Sequence, residues 1–246
     1  MKMTRIDHLI QLSFMPRIFP VNCYLVEEQD GLTLIDAALP YSVKEISRVV
    51  RELGRPLTNI VLTHAHGDHI GALDGLKELY PDAKVCISAR DAKLLRGDAT
   101  LEPEEPQFEI RGSVPKGIKT VPDVLLGEGD RIGSLQVVLT PGHTPGSISL
   151  LDTRSGALIA GDAFQARGGF AVSGTMVPLF PFPAMATWHK ESALASARKV
   201  ASLKPALLAV GHGRMMVEPA AAIARAIAEA ERSISRSASS SVKERM

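Results

Sequence analysis

The sequence predicts an α/β (α+β) fold in a single domain. Three observations carry this. Short apolar runs alternate with stretches of helical periodicity, one run is apolar throughout, and several closely spaced β segments follow between residues 130 and 160. Val21 to Glu27 and Leu32 to Asp36 read as two strands joined by a turn at Asp30-Gly31. Residues 42–53 place Val43, Ile46, Val49, Val50 and Leu53 at helical spacing, and Gly54 supplies the stop. Ile60 to Thr63 is the short apolar run, as expected of a strand covered on both faces. A helix follows over about 71–79, ended by Pro81, then a strand over 83–88 and a short helix over 89–96.

Between residues 97 and 119 the periodicity fails. Pro103, Pro106 and Pro115 stand among glutamates and glycines, which predicts a loop, and long loops in compact domains are commonly lids or disordered. Asp130 to Ile132, Leu135 to Thr140, Ile148 to Asp152 and Ala157 to Ala160 then read as an antiparallel part of a sheet. Residues 163–186 are rich in Phe, Met, Pro and Gly. A helix over 186–203, a strand over 206–210 and an Ala-rich helix over 218–235 complete the pattern. The domain is expected to span residues 1–236, with 237–246, Ser- and charge-rich, as a disordered tail.

Composition narrows the function. The chain has 246 residues, 45% hydrophobic and 22% charged, with a formal charge of +1, so no global field draws it to nucleic acid or an acidic membrane. No window approaches the ~18–20 apolar residues of a membrane span, and the first residues lack a secretory pattern. Cys23 and Cys86 lie in apolar stretches without Cys-x-x-Cys spacing and read as buried free thiols. A cytoplasmic location and a small-molecule substrate are the resulting expectations, with a homodimer as an open option. Gly127-Glu-Gly129 lacks the third glycine of a dinucleotide fingerprint, and neither a Walker-type loop nor a Gly-x-Ser-x-Gly elbow occurs.

The informative segment is Thr63-His64-Ala-His66-Gly-Asp68-His69, between a buried strand and a helix. Three imidazoles packed there would repel when protonated and lack partners when neutral, and a bound cation removes both problems. In an extended turn His64 and His66 face one side, while Asp68 and His69 serve a neighbouring position. His143, Asp162 and His212 share the context: each follows an apolar strand and has a glycine directly before it. Five of the seven histidines fall in this set.

In this order Thr-His-x-His-x-Asp-His, Pro-Gly-His143-Thr-Pro-Gly, Gly-Asp162 and Gly-His212 resemble the metallo-β-lactamase superfamily, over about residues 36–212. The resemblance implies a four-layered αββα sandwich, the metallo-β-lactamase fold, with the site at one edge of two sheets. It implies that His64, His66 and His143 hold one divalent metal ion, that Asp68, His69 and His212 hold a second, and that Asp162 bridges them. Asp36 matches an aspartate behind the ligands that orients their loop. Zinc is the expected metal, with iron or manganese as alternatives. The implied reaction is hydrolysis by a metal-bound hydroxide, with Asp68 positioning or shuttling a proton.

The substrate is read as a small carbonyl compound, a lactone or other ester, because the 163–186 segment is apolar and no basic groove is apparent. β-Lactamase activity, a glyoxalase-II-like thioesterase and an iron-dependent, persulfide-dioxygenase-like oxygenase are the alternatives. Glyoxalase-II-type enzymes carry a larger C-terminal helical domain than follows His212. Flavodiiron reductases place Glu where His66 stands here. The best-known dizinc penicillin-degrading enzymes use Cys where Asp162 stands. Acyl-homoserine lactonases use a pocket tyrosine, whereas Tyr24, Tyr41 and Tyr80 all lie early in the chain. A non-enzymatic zinc site is disfavoured because such sites are usually closed and cysteine-rich. Phe164, Phe170, Phe180, Phe182, Met176, Met185 and Trp188 fit either a core or an apolar pocket, and His8 and His189 read as surface or packing residues.

Overall fold

A computed structural model describes residues 1–243. Two sheets lie face to face with helices on both outer sides. The first sheet contains β1 (Lys2–Ile6), β2 (Leu9–Phe14), β3 (Val21–Glu27), β4 (Leu32–Ile35), β5 (Leu57–Val61), β6 (Lys84–Ser88) and β7 (Val124–Leu126), hydrogen-bonded in that order. Its first four strands run antiparallel and β4 to β7 run parallel. The connections to β5 and β6 run through α1 (Val43–Leu53), α2 (Gly67–Ile70) and α3 (Leu73–Leu79), and α4 (Asp91–Leu95) follows β6.

The second sheet is built from β8 (Arg131–Ile132), β9 (Leu135–Leu139), β10 (Ile148–Asp152) and β11 (Ala157–Ile159), all antiparallel. A small ribbon, β12 (Phe164–Gln165) with β13 (Ala171–Val172), and the helices α5 (Phe182–Met185) and α6 (Lys190–Ser202) come next. Then β14 (Leu207–Ala209) joins the second sheet parallel to β11, β15 (Met216–Val217) closes it, and α7 (Ala220–Lys243) ends the described chain.

Strand alternation makes the layers. Side chains of successive strand residues point to opposite faces, so Leu34, Ile60 and Val85 meet α1, α3 and α4, while Ile35, Val61 and Cys86 meet the other sheet. In the second sheet Ile159 and Ala209 face inward, and Leu158 and Leu208 meet α6 and α7. Three apolar interfaces separate four layers, α, β, β and α. Both cysteines are buried free thiols.

Several boundaries differ from the sequence reading. The helix expected over 71–79 starts at Leu73 as α3, and a separate short helix, α2, precedes it; between them lies Gly71, whose amide donates to Ala38 O at 2.7 Å. The helix expected from 186 starts at Lys190, where the His189 ring accepts from the Ser192 amide and caps it. The last helix extends to Lys243, further than the Ser-rich composition suggests, and residues 244–246 of the expected tail lie outside the described residues. Strands β1 and β2 have no counterpart in the sequence reading; β1 is largely exposed, and β2 is buried on both faces, Gln11 and Ser13 included. Among the described residues no helix is long and apolar enough to cross a membrane.

Candidate metal centre

The strands that precede the chemistry-bearing residues all end at one edge of the sandwich. β4 and β5 are parallel, and β9, β11 and β14 share one direction through their pairings. Asp36 follows β4, residues 64–69 follow β5, and His143, Asp162 and His212 follow β9, β11 and β14. The Ile148 amide donates to Thr63 O at 2.9 Å and ties the two sheet edges together.

At this edge seven side chains converge. His66 Nδ1 lies 2.9 Å from His143 Nε2, and the His64 ring centroid is 4.9 Å from each of theirs. His69 Nε2 is 3.5 Å from Asp162 Oδ1, and His212 Nε2 is 3.4 Å from Asp68 Oδ2. Asp162 lies between the groups, its Oδ2 3.4 Å from His143 Nε2 and 3.1 Å from His212 Nε2. The potential ligand atoms of His64, His66 and His143 all fall within 4.8 Å of one another, as do those of His64, His69 and Asp162, and those of Asp68, His69 and His212. His8 is exposed beyond β1, and His189 serves as the cap of α6.

A proton inventory fixes how the imidazoles present themselves. Asp36 accepts from the Thr63 amide at 2.7 Å, from Thr63 Oγ1 at 2.8 Å and from His69 Nδ1 at 2.8 Å. With its only proton given to Asp36, the Thr63 hydroxyl accepts from His64 Nδ1 at 3.1 Å. Thr187 donates to Pro183 O, so Ser173 donates to Thr187 and accepts from His143 Nδ1 at 3.0 Å. His66 Nε2 donates to Arg111 O at 2.8 Å, and His212 Nδ1 to Pro20 O at 2.7 Å. Each of these five histidines thus spends one ring N–H outward and, when neutral, turns a lone pair inward. Fixing the tautomer this way is what outer partners of metal-bound histidines do.

The inward atoms lack partners of their own. His64 Nε2, His69 Nε2 and Asp162 Oδ1 are buried without a hydrogen bond, and each such group costs about 1–3 kcal/mol. A cation satisfies all three together, so the donor set fits divalent metal. Burial, followed by the neighbouring imidazoles, holds His64 well below its ordinary pKa. Burial likewise holds His143 and His66 down against the pull of nearby carboxylates. For His69 burial is outweighed by Asp162, Asp36 and Asp68, which raise it to about 10; Asp162 and Asp68 raise His212 in the same way. Asp162 is driven well below the usual carboxylate range by His212 and His69, against its burial.

Around these side chains stand supporting groups, most of them outside the motifs read from the sequence. Asp91, fully buried at the start of α4, accepts from Ala65 N at 3.0 Å, Thr144 Oγ1 at 2.7 Å and Gly146 N at 2.8 Å. It therefore clamps the loop of His64 and His66 to the loop of His143. Burial raises its pKa to about 6 although these donors pull it down. The loop after α4 folds back over His66: Gly67 N donates to Ser113 O at 3.0 Å, and the Trp188 indole N–H donates to Phe108 O at 2.9 Å. Gly112 sits against the His66 ring at φ +89°, where a Cβ would come within 2.5 Å of Nε2. At Gly211 a Cβ would meet Asp162 Oδ1 at 2.1 Å, which is the reason for glycine before His212. Tyr24 Oη and Asn22 Nδ2 hold Val210 O at 2.6 and 2.8 Å and fix the approach to His212.

Residues 16–212 match the family model described as metallo-beta-lactamase superfamily. The chain belongs to that superfamily. It is 56% identical over 232 residues to an uncharacterized protein of Bacillus subtilis, YobT, covering 94% of this chain and all of YobT. It is 30% identical to the probable metallo-hydrolase YflN of the same organism, over 78% of this chain and 80% of YflN. Among solved structures it resembles TTHA1623 in a di-iron-bound form, with a TM-score of 0.63, 28% identity and coverage of 86% and 96%. Members of this superfamily therefore share the fold, and His and Asp side chains form candidate ligand groups here as the fold leads one to expect.

A cleft of about 400 Å³ opens onto the centre, lined by Phe19, Gly112, Ser113, Phe182, Met185 and Ala186 beside the metal-facing groups. Of the aromatic set read from the sequence, Phe182 and Met185 reach this cleft. Phe164, Phe180 and Trp188 are core, and Met176 is exposed. Phe19 is the wall residue that the sequence reading missed.

Three outcomes are expected. Asp91→Asn, whose amide group opposes a backbone N–H, lowers zinc affinity about 10- to 100-fold in a competition titration. Gly112→Ala must displace the His66 ring or the loop, and loses at least about ten-fold in zinc affinity while its far-ultraviolet circular dichroism is retained. At pH 7 the metal-free protein holds a proton on His69, whose raised pKa lies above the solution pH. Zinc binding therefore releases at least one proton, and the apparent affinity rises with pH. Calorimetry in buffers of different ionisation enthalpy reads that release.

Proposed function

We propose that the chain is a dinuclear metal-dependent hydrolase of a neutral carbonyl substrate, a lactone or other ester. The observation that carries this reading is the pairing of seven inward-facing ligand groups with a cleft whose lining contains neither Lys nor Arg. Substrates that bear a carboxylate near the reacting bond, as β-lactams do, and glutathione thioesters find no Lys or Arg side chain there to receive it. Tyr24, Tyr41 and Tyr80 are also absent from the cleft lining, which favours a general ester over a lactone gripped by tyrosine.

His64, His66 and His143 would hold one ion, Asp68, His69 and His212 the other, with Asp162 between them. When bound, such ions lower the pKa of water to roughly 7 and polarise a carbonyl. The residues supply the rest. Asp68, part-exposed at the cleft and 3.4 Å from His212 Nε2, is placed to hold a proton taken from water and deliver it to the departing alcohol. The oxygen of water joins the acyl carbon, the acyl C–O bond breaks, and the proton ends on the released oxygen. Phe19, Phe182 and Met185 hold the acyl part and exclude water around the reacting carbon. Zinc is the first choice of metal. The di-iron form of the related TTHA1623 makes iron the second.

The test is metal analysis of purified protein, then assay against neutral esters, lactones, thioesters, β-lactams and phosphodiesters. Two metal ions per chain and turnover of neutral esters or lactones are expected, with His66→Ala reducing kcat at least about a hundred-fold. Turnover of phosphodiesters alone, or oxygen consumption by a protein holding one iron, contradicts the reading.

A further inference from the structure

The wall of the cleft does not stop at its mouth. It begins at His212, whose ring centroid lies 5.3 Å from that of Phe19 and 5.5 Å from that of Phe180. Phe19, Phe180 and Phe182 pack on one another with centroids 5.0, 5.1 and 5.4 Å apart. From there apolar surface runs outward, with Phe182 52% exposed, Met185 60%, Leu179 82% and Ile18 81%. The two segments that carry these residues are fastened together. The Arg167 guanidinium donates to Arg17 O beside Ile18, and Gly168 abuts Leu179, where a Cβ would stand 2.8 Å from the Leu179 Cβ.

Single exposed apolar side chains are ordinary. Phe182 and Met185 line the cleft itself, and Ile18 and Leu179 stand next in the chain to the floor residues Phe19 and Phe180. Four such side chains beside an aromatic floor that touches His212 form a patch of the kind that marks a binding site. We infer that the substrate carries an unbranched apolar acyl chain, which leaves the cleft over the shelf formed by Phe182, Met185, Leu179 and Ile18. This rests on the ester reading above and narrows it from a small compound to an acyl ester of medium or long chain. A surface built only for a second protein molecule has no use for the floor beneath it, because a flat partner cannot reach His212. An alkyl chain anchored by its carbonyl at the centre covers floor and shelf together. Each methylene it lays on that surface strengthens binding about four-fold until the shelf ends.

The shelf and the chemistry are separated by two measurements on the zinc-loaded protein. Calorimetric titration with butanamide, hexanamide and octanamide, neutral probes that resist hydrolysis, reads the shelf. Affinity is expected to rise about four-fold per methylene, and the octanamide-to-butanamide ratio to fall about ten-fold in the Ile18→Ser/Leu179→Ser protein. No rise with length, or an equal rise in the variant, overturns the inference. So does a wild-type dimer that the double substitution turns into a monomer, since the patch would then be a self-association face. p-Nitrophenyl esters from acetyl to dodecanoyl read the chemistry. kcat/KM climbing with chain length supports both readings. Length-dependent amide binding without turnover of any ester upholds the shelf as an alkyl-chain site and removes the ester reading beneath it.

Discussion

Ring nitrogens of five buried imidazoles and the oxygens of two aspartates face one another in one hollow at the edge of two sheets, and a cluster of donor atoms of this kind does not assemble unaided. His66 Nδ1 and His143 Nε2 stand 2.9 Å apart with both of their protons committed elsewhere. Much of the surrounding structure answers that arrangement. Asp36 holds His69 and, through Thr63, His64. A serine and two backbone carbonyls hold the other three. The unpaired inward atoms fit a divalent cation, which would pair them all at once.

The fold makes this convergence possible by a simple device. Strands that share a direction end at one edge, so loops distant in sequence are neighbours in space. Rigid strands on either side fix the ligands to within the tolerance that coordination needs. Asp91 adds a clamp between the two loops that supply His64, His66 and His143. The cleft wall comes from the less regular segments 15–20, 111–113 and 163–186, which also supply Pro20 O, Arg111 O and Ser173 Oγ as partners of His212, His66 and His143. The same segments thus shape the cleft and hold three of the imidazoles from behind.

Much of this was legible in the sequence. The loops that converge announce themselves because imidazoles cluster locally at 64–69, and because glycines stand before His143, Asp162 and His212, Gly142 and Gly161 at positive φ and Gly211 where Asp162 comes close. The layers follow from alternation such as Leu34 with Ile35. What stayed hidden has a physical reason in each case. Arg111 O and Pro20 O act through backbone atoms, which any residue provides. Asp91 reads as an ordinary acidic residue at a helix start until Thr144 and Gly146 are brought beside it. Gly112 lies in a stretch with no periodicity, and only the folded loop shows the His66 ring against it. Strand β1 is largely exposed and carries little apolar signal, while in β2 Ile10, Leu12 and Phe14 alternate with Gln11 and Ser13, whose burial only the folded chain shows.

The claim that this hollow is a cage for two cations is tested most directly by diffraction from zinc-loaded crystals measured on both sides of the zinc absorption edge. Two anomalous peaks are expected, one among His64, His66 and His143 and one among Asp68, His69 and His212, with Asp162 reaching both. Zinc-loaded crystals with no peak in the hollow, or with His143 or His212 swung away from it, would contradict the account.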